Sequence, residues 1–256
     1  MISKEEKMKI LINGINGRMG AEVKKIVNEG YRGAELCAGV DVVPTESTDC
    51  PIYTSWCEVK ETPDCIVDFS HHSATKALLE YACEHGIPVV LATTGHDEIE
   101  KGYIAAAAKK IPLFHSANMS IGVALLCELA KTAAKTFPDA DIEIIEKHHN
   151  RKIDAPSGTA LLLAASIQKI RESAIFTFGR QGQAKRMKNE IGIHAIRMGN
   201  IVGEHEVIIG TDTQTITLKH EAHSRSLFAE GAIAAADFVK DKCAGLYDMY
   251  SMIESN

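Results

Sequence analysis

A chain of 256 residues has room for two domains at roughly 100 to 200 residues each. Its composition, 45% hydrophobic and 24% charged, excludes a disordered, collagen-like or disulfide-scaffold protein. The net charge of −6 gives no global support to phosphate-backbone binding, and no apolar run reaches the roughly 20 residues that span a bilayer, so neither nucleic acid nor membrane is an expected partner.

Met1 to Lys7 is charged and polar and lacks the apolar centre of a secretory signal. Met8 to Ile12 then reads as a buried strand, followed at once by Gly14 to Gly20, a glycine-rich turn opening a helix that runs to Asn28 and closes at Gly30. A second strand, Glu35 to Asp41, completes a strand–helix–strand unit. Apolar strands recur at Cys65 to Phe69, Val89 to Ala92 and Leu113 to His115, with helical segments at Ala74 to His85 and Glu98 to Lys110 between them. This alternation predicts an α/β fold whose N-terminal domain is a doubly wound, Rossmann-type parallel sheet.

From Ala117 the rhythm changes. A helix over Ile121 to Thr136, a strand over Ile142 to His148 and a helix over Thr159 to Arg171 precede three strand-like runs, Ile191 to Arg197, Glu206 to Ile209 and Thr213 to Glu221. No helix separates those runs, so they are expected to pair antiparallel in a second, α+β domain with a mostly antiparallel sheet. The segment Gly179 to Glu190 has no apolar period and reads as a surface loop, or as a lid carrying Lys and Arg over an anion. The last long helix, Leu227 to Cys243, is alanine-rich. Seven cysteines without a C-x-x-C pair read as reduced thiols in a reducing compartment.

Two places carry chemistry. The turn Gly14-Ile15-Asn16-Gly17-Arg18-Met19-Gly20 sits where a dinucleotide fingerprint sits, although Asn16 and Met19 replace the second and third glycines of G-x-G-x-x-G. Unpaired N–H groups at the helix start suit a pyrophosphate, with Arg18 adding charge, and Asp41, 21 residues past Gly20, suits a ribose-binding acid. Small and hydroxyl residues at Ala92-Thr93-Thr94, at a strand's C-terminal end, allow close approach of a nucleotide. Elsewhere, Glu146 to Ala160 gathers His148, His149, Lys147, Lys152 and Arg151 beside a helix start where Ser157, Gly158 and Thr159 offer hydroxyls and backbone N–H groups to a carboxylate. The plain alternative is a capped helix preceded by a solvated charge run. A metal is not expected, because adjacent His148 and His149 on extended chain point to opposite faces.

On these residues, and on Thr93-Thr94-Gly95, Ala117-Asn118-Met119-Ser120, Gly199 to His205 and Gly245 to Met249, the chain resembles the dihydrodipicolinate reductases over nearly its whole length. The His-His-x-x-Lys-x-Asp-Ala-Pro-Ser-Gly-Thr run is the most specific part. The resemblance implies reduction of dihydrodipicolinate, formed from 4-hydroxy-tetrahydrodipicolinate, to tetrahydrodipicolinate by NADH or NADPH, a cytoplasmic step towards diaminopimelate and lysine. It makes His148 and Lys152 the catalytic pair and His149, Ser157, Gly158 and Thr159 the dicarboxylate site. The cofactor contacts it implies are Gly14, Ile15, Asn16, Gly17, Arg18, Met19, Asp41, Ala92, Thr93, Thr94, Ala117, Asn118 and Met119.

The same resemblance implies a homotetramer held through the second domain, and domain bounds of 1–117 with 224–256 for the nucleotide and 118–223 for the substrate. This chain departs from the family's pattern at Ala92, usually glycine, and at His71, where some members carry Arg. After Asp41 stand Val42, Val43 and Pro44, with no Arg to meet a 2′-phosphate, so NADH is expected to serve at least as well as NADPH. The competing readings are another two-domain dehydrogenase of amino-acid metabolism and a nucleotide-sensing module without catalysis. Neither requires the constellation from His148 to Thr159.

Overall fold

The structure is a computed structural model that describes residues 7–43 and 49–255, so most of the polar N-terminal run and Pro44 lie outside the described residues. The chain divides into two compact units, Met1–Met119 with Ser226–Asn256, and Ser120–Arg225.

The first unit contains β1 (Met8–Asn13), α1 (Arg18–Asn28), β2 (Ala34–Val40), β3 (Ile52–Tyr53), β4 (Cys65–Asp68), α2 (Thr75–His85), β5 (Val89–Leu91), α3 (Glu98–Ala107) and β6 (Pro112–His115). Its sheet, completed from the C-terminal segment by β12 (Gly245–Tyr247), is parallel throughout in the order β12-β6-β5-β4-β1-β2-β3. The chain leaves β1 towards β2 and β3, then returns to build β4 to β6 on the other side. A gap therefore opens at the C-terminal ends of β1 and β4, where such sheets bind ligands. β4 and β5 are buried along their whole length, as strands covered by helices on both faces must be, and Leu11, Ile66, Leu78, Leu91 and Leu113 anchor the core.

The C-terminal helix α6 (Ser226–Val239) belongs to this unit and packs against α1. Its alanines permit a close approach, and at Gly231 a Cβ would fall on the carbonyl oxygen of Met119. A final short helix, α7 (Met249–Glu254), starts at a capping box between Asp248 and Ser251.

The second unit contains α4 (Ile121–Thr136), β7 (Asp141–His148), α5 (Gly158–Gln168), β8 (Ile175–Phe178), β9 (Glu190–Arg197), β10 (Gly203–Gly210) and β11 (Thr215–Ala222), with sheet order β11-β10-β7-β9-β8. β10 pairs antiparallel with β11, as expected of two consecutive runs. β9 does not pair with β10. It lies parallel to β7, with Ile142 opposite Ile191, and β7 is antiparallel to β10 on its other side. The reason is α5, which lies between β7 and β8 and carries the chain back, so that β8, and β9 after the 179–189 loop, run in the same direction as β7.

α4 and α5 pack against the sheet. Along β7 the residues Ile142, Ile144, Glu146 and His148 are buried, alternating with Glu143, Ile145 and Lys147, which are only half-buried. In the 179–190 loop, Arg180 pairs with Glu143 and Glu190, and Arg186 pairs with Asp141 and Glu143. Both guanidiniums are thus bound to the chain's own strands, as in a held surface excursion and unlike a lid presenting free arginines.

Candidate active site

In the first unit the glycines at 14, 17 and 20 make the turn after β1. Gly14 has φ +77° and donates its N–H to the Val40 carbonyl at 2.8 Å, and a Cβ there would come within 2.9 Å of the Phe69 and Ser70 backbone. Gly17 is the residue that caps α1. At Gly20 a Cβ would fall on the Gly14 carbonyl, so the close helix–strand contact of a dinucleotide fold occurs here, one residue later than the G-x-G-x-x-G frame places it. Asn16, in the second-glycine slot, donates its backbone N–H to Asp41 Oδ2 at 2.9 Å and its side-chain amide to the Val43 carbonyl, tying the turn to the chain that follows β2.

These residues open on a cavity of about 1220 Å³ whose walls include Gly14, Asn16, Gly17, Asp41, Val42, Val43, Ser70 and His71. A glycine turn, the positive end of α1 and a carboxylate just past β2 fit a nicotinamide dinucleotide's pyrophosphate and ribose. Arg18 begins α1 and is exposed, Ile15 is buried and Met19 is half-buried. Ala92, Thr93 and Thr94 follow β5, and Ala117, Asn118 and Met119 follow β6, all at C-terminal strand ends but outside the walls of this cavity.

Asp68, at the end of β4, ties these ends together. It is fully buried and accepts hydrogen bonds from Asn13, from Thr93 Oγ1 at 2.6 Å, and from both the N–H and the hydroxyl of Ser70. Burial raises its pKa and the hydrogen bonds oppose that rise. Among the described residues, no group of His, Cys, Asp and Glu is placed to hold a metal ion.

In the second unit β7 ends at His148, and the chain turns through Lys152 into α5, whose start is capped by Ser157 Oγ accepting from the Ala160 N–H. His148 is buried, its Nδ1 lying 2.5 Å from Glu146 Oε2, and its ring packs edge-on against His205 at 5.2 Å between centroids. Ser157 Oγ lies 3.2 Å from His205 Nε2. Lys152 is ion-paired to the exposed Asp154 at 2.9 Å. His149 is pushed to a lower pKa, first by burial and then by the positive charges of Arg151 and Arg225. Two arginines, Lys152 and the N-terminal end of α5 therefore give this corner of the unit a positive field, which is what a dicarboxylate needs.

Comparison with known proteins decides the family. The family model described as "Dihydrodipicolinate reductase, N-terminus" matches residues 8–119, and the one described as "Dihydrodipicolinate reductase, C-terminus" matches residues 122–253. The chain belongs to the dihydrodipicolinate reductase family. It is 46% identical over 249 residues to the 4-hydroxy-tetrahydrodipicolinate reductase of Clostridium novyi (strain NT), covering 96% of this chain and 98% of that one. It superposes with TM-score 0.81 and 25% identity on a dihydrodipicolinate reductase from Paenisporosarcina sp. TG-14 solved with dipicolinate bound, over 95% of this chain and 98% of that one. An aspartate dehydrogenase from Thermotoga maritima, at 12% identity and TM-score 0.51 over 93% of this chain and 99% of that one, shares the fold alone. As a dihydrodipicolinate reductase the chain is an NAD(P)H-dependent oxidoreductase.

Four residues that the sequence reading gave no role stand at the centre of the geometry. Glu146 and Arg197 face each other across β7 and β9, His205 lines the His148 ring, and Arg225 adds charge beside His149. Glu146 and His205 sat inside quoted motifs. Their signal, a carboxylate and a histidine at inward-facing strand positions, is legible only once the strand pairing is known.

Proposed function

We propose that this enzyme reduces dihydrodipicolinate, formed from 4-hydroxy-tetrahydrodipicolinate, to tetrahydrodipicolinate in the route to diaminopimelate and lysine. The nicotinamide supplies a hydride when bound. Addition of hydride to an unsaturated ring leaves negative charge that a proton must quench, so the protein has to supply an acid and a positive field. His148 is the proton-exchanging group and Lys152 the second donor, while His149, Ser157, Gly158 and Thr159 take a substrate carboxylate. The observation that carries this reading is that Arg151, Arg225, His148 and Lys152 all act on His149, just past the end of β7. Oxidation of NADH followed by its absorbance with freshly generated dihydrodipicolinate tests it, and an enzyme inert towards that substrate overturns it.

A helix start carries about half a positive charge, spread over its first N–H groups. Pyridine-2,6-dicarboxylate, flat and doubly anionic, is therefore expected to compete with substrate, and Thr159→Val is expected to weaken that inhibition by about tenfold, the loss of one hydrogen bond to a charged group. Steady-state inhibition that is competitive against substrate supports the site; noncompetitive inhibition places it elsewhere.

Cofactor choice follows from Asp41. Its Oδ2 accepts from the Asn16 N–H and its Oδ1 from the Val43 N–H, which holds the carboxylate beside the cavity with lone pairs left for ribose hydroxyls. Glu80 and Glu84 also line the cavity, and its walls contain no Lys or Arg among the described residues. A 2′-phosphate would meet like charge there. NADH is accordingly expected to show a kcat/KM at least equal to that of NADPH at matched ionic strength, and a clear NADPH advantage would reverse the assignment. The cytoplasm, with its reduced thiols and dinucleotides, suits a chain of seven cysteines without a C-x-x-C pair. A homotetramer is the assembly proposed, supported by the sheet face of the second unit on which Ile145 and Ile208 are only half-buried.

A further inference from the structure

Glu146 is a buried carboxylate that the proposed chemistry does not use directly, and every acceptor position it has is filled. Its Oε1 accepts from the Ser157 N–H at 3.0 Å and from Arg197 Nη2 at 2.6 Å. Its Oε2 accepts from Arg197 Nη1 at 2.8 Å and faces His148 Nδ1. A carboxylate has about four lone-pair sites, so two bonds to each oxygen leave none over. Burial alone would raise the pKa of Glu146, but the hydrogen bonds from His148, Arg197 and the Ser157 amide outweigh it and hold the group at about 2. An ionised carboxylate can only accept. The proton between the two side chains therefore belongs to His148 Nδ1, which leaves Nε2 as the nitrogen that can exchange a proton.

The opposite side of the ring is built to match. Gly203 stands beside His148 across the β7–β10 ladder, and a Cβ there would come within 3.0 Å of Nε2 and 3.4 Å of Cδ2. Gly203 has no positive φ that calls for glycine, so the space is needed by the ring. His205 supplies a second wall. Its pKa is pushed down to about 3, by burial first and then by His148, so it stays neutral and adds no charge to compete with the imidazole. Besides Glu146 and Arg197, the ring that packs against His148 is thus the neutral His205.

We infer that Glu146, clamped by Arg197 and the Ser157 amide, is a positioning residue that fixes the His148 tautomer with Nε2 as its working nitrogen, and that Gly203 keeps the space that nitrogen needs. This rests on the reading of His148 as the proton-exchanging group. It gives the Gly203-Glu204-His205 segment and the half-buried Arg197 a function beyond packing.

The test starts with the unaltered enzyme. In ¹⁵N-histidine-labelled protein, the signals lost in His148→Gln identify the ring, and in its neutral form the proton is expected on Nδ1; a proton on Nε2 overturns the inference without any further variant. Glu146→Gln is expected to abolish that preference and to lower kcat by about 10²-fold or more, with the KM for NADH unchanged, because tautomer control of an acid–base histidine acts on the chemical step. Arg197→Lys, which keeps the charge but loses the bidentate clamp, should fall in the same direction by a smaller factor, and Gly203→Ala should lower kcat while leaving the tautomer intact. A folded Glu146→Gln enzyme with wild-type kcat and tautomer overturns the positioning role. If His148→Gln itself turns over normally, the function assigned to His148 has failed, and the NMR result still reports on Glu146 by itself.

Discussion

His148→Gln and Lys152→Ala are each expected to lower kcat by about 10²- to 10⁴-fold, the usual contribution of a positioned acid or base, while leaving the affinity for NADH nearly intact. The separation follows from the architecture. His148 and Lys152 belong to the Ser120–Arg225 unit, whereas the glycine turn, Asp41 and the cavity they line belong to the other. Gln is the informative replacement at His148 because its amide can still donate to Glu146, so that the buried carboxylate keeps a partner and the fold is disturbed little. Among the described residues Lys152 is ion-paired with Asp154, a carboxylate whose side chain is 58% exposed. Such a pair is worth roughly 0 to 1 kcal/mol, so the ammonium can leave it for a substrate at small cost, and its removal should leave thermal stability within about 4 °C of the parent. Single-turnover rates with saturating NADH, alongside NADH binding by fluorescence, provide the check. Full turnover in both variants would remove these two residues from the chemistry.

Much of the first unit was legible because its strands are short, apolar and flanked by amphipathic helices, so the alternation of β1, α1 and β2 is written directly in hydrophobic spacing. What escaped was of a kind that spacing does not encode. β3 has two residues and β12 three, too few to show any period, and β12 is held by β6, far away in sequence. The pairing of β9 with β7 depended on a crossover through α5, whereas adjacency along the chain favoured β10. The site divides in the same way. His148, His149, Lys152 and Ser157 are neighbours in sequence and were readable as a cluster, but Arg197 reaches Glu146 across 51 positions and Asp68 gathers Asn13 and Thr93 from separate strands. Groups brought together only by strand register leave no local trace.

Gly20→Ala is expected to be the most damaging single-methyl change in the glycine turn. The sequence frame G-x-G-x-x-G assigns the third glycine's place to Met19, but the structure puts the closest helix–strand approach at Gly20, where an added Cβ would fall on the Gly14 carbonyl and come within 2.8 Å of the Ile15 Cα and carbonyl carbon. All three obstacles are backbone atoms that cannot rotate aside. α1 would have to move away from the turn, and its N-terminal N–H groups would move with it, off the position proposed for the pyrophosphate. Overpacking of this kind costs about 1 to 3 kcal/mol, and the backbone obstruction places Gly20 at the upper end, a fall in Tm of about 6 °C to 12 °C for a protein of this size. The KM for NADH should rise by about tenfold or more, since anion binding at a helix start depends on where that start lies. Gly17→Ala is the internal comparison. Gly17 has ordinary extended dihedrals, φ −71° and ψ 165°, and its Cβ would come no closer than 3.1 Å to the Gly14 carbonyl, so the loss of stability should be well under half as large. Equal Tm values for the two variants, or an unchanged KM for NADH in Gly20→Ala, would show that close packing at residue 20 is not what anchors the nucleotide turn.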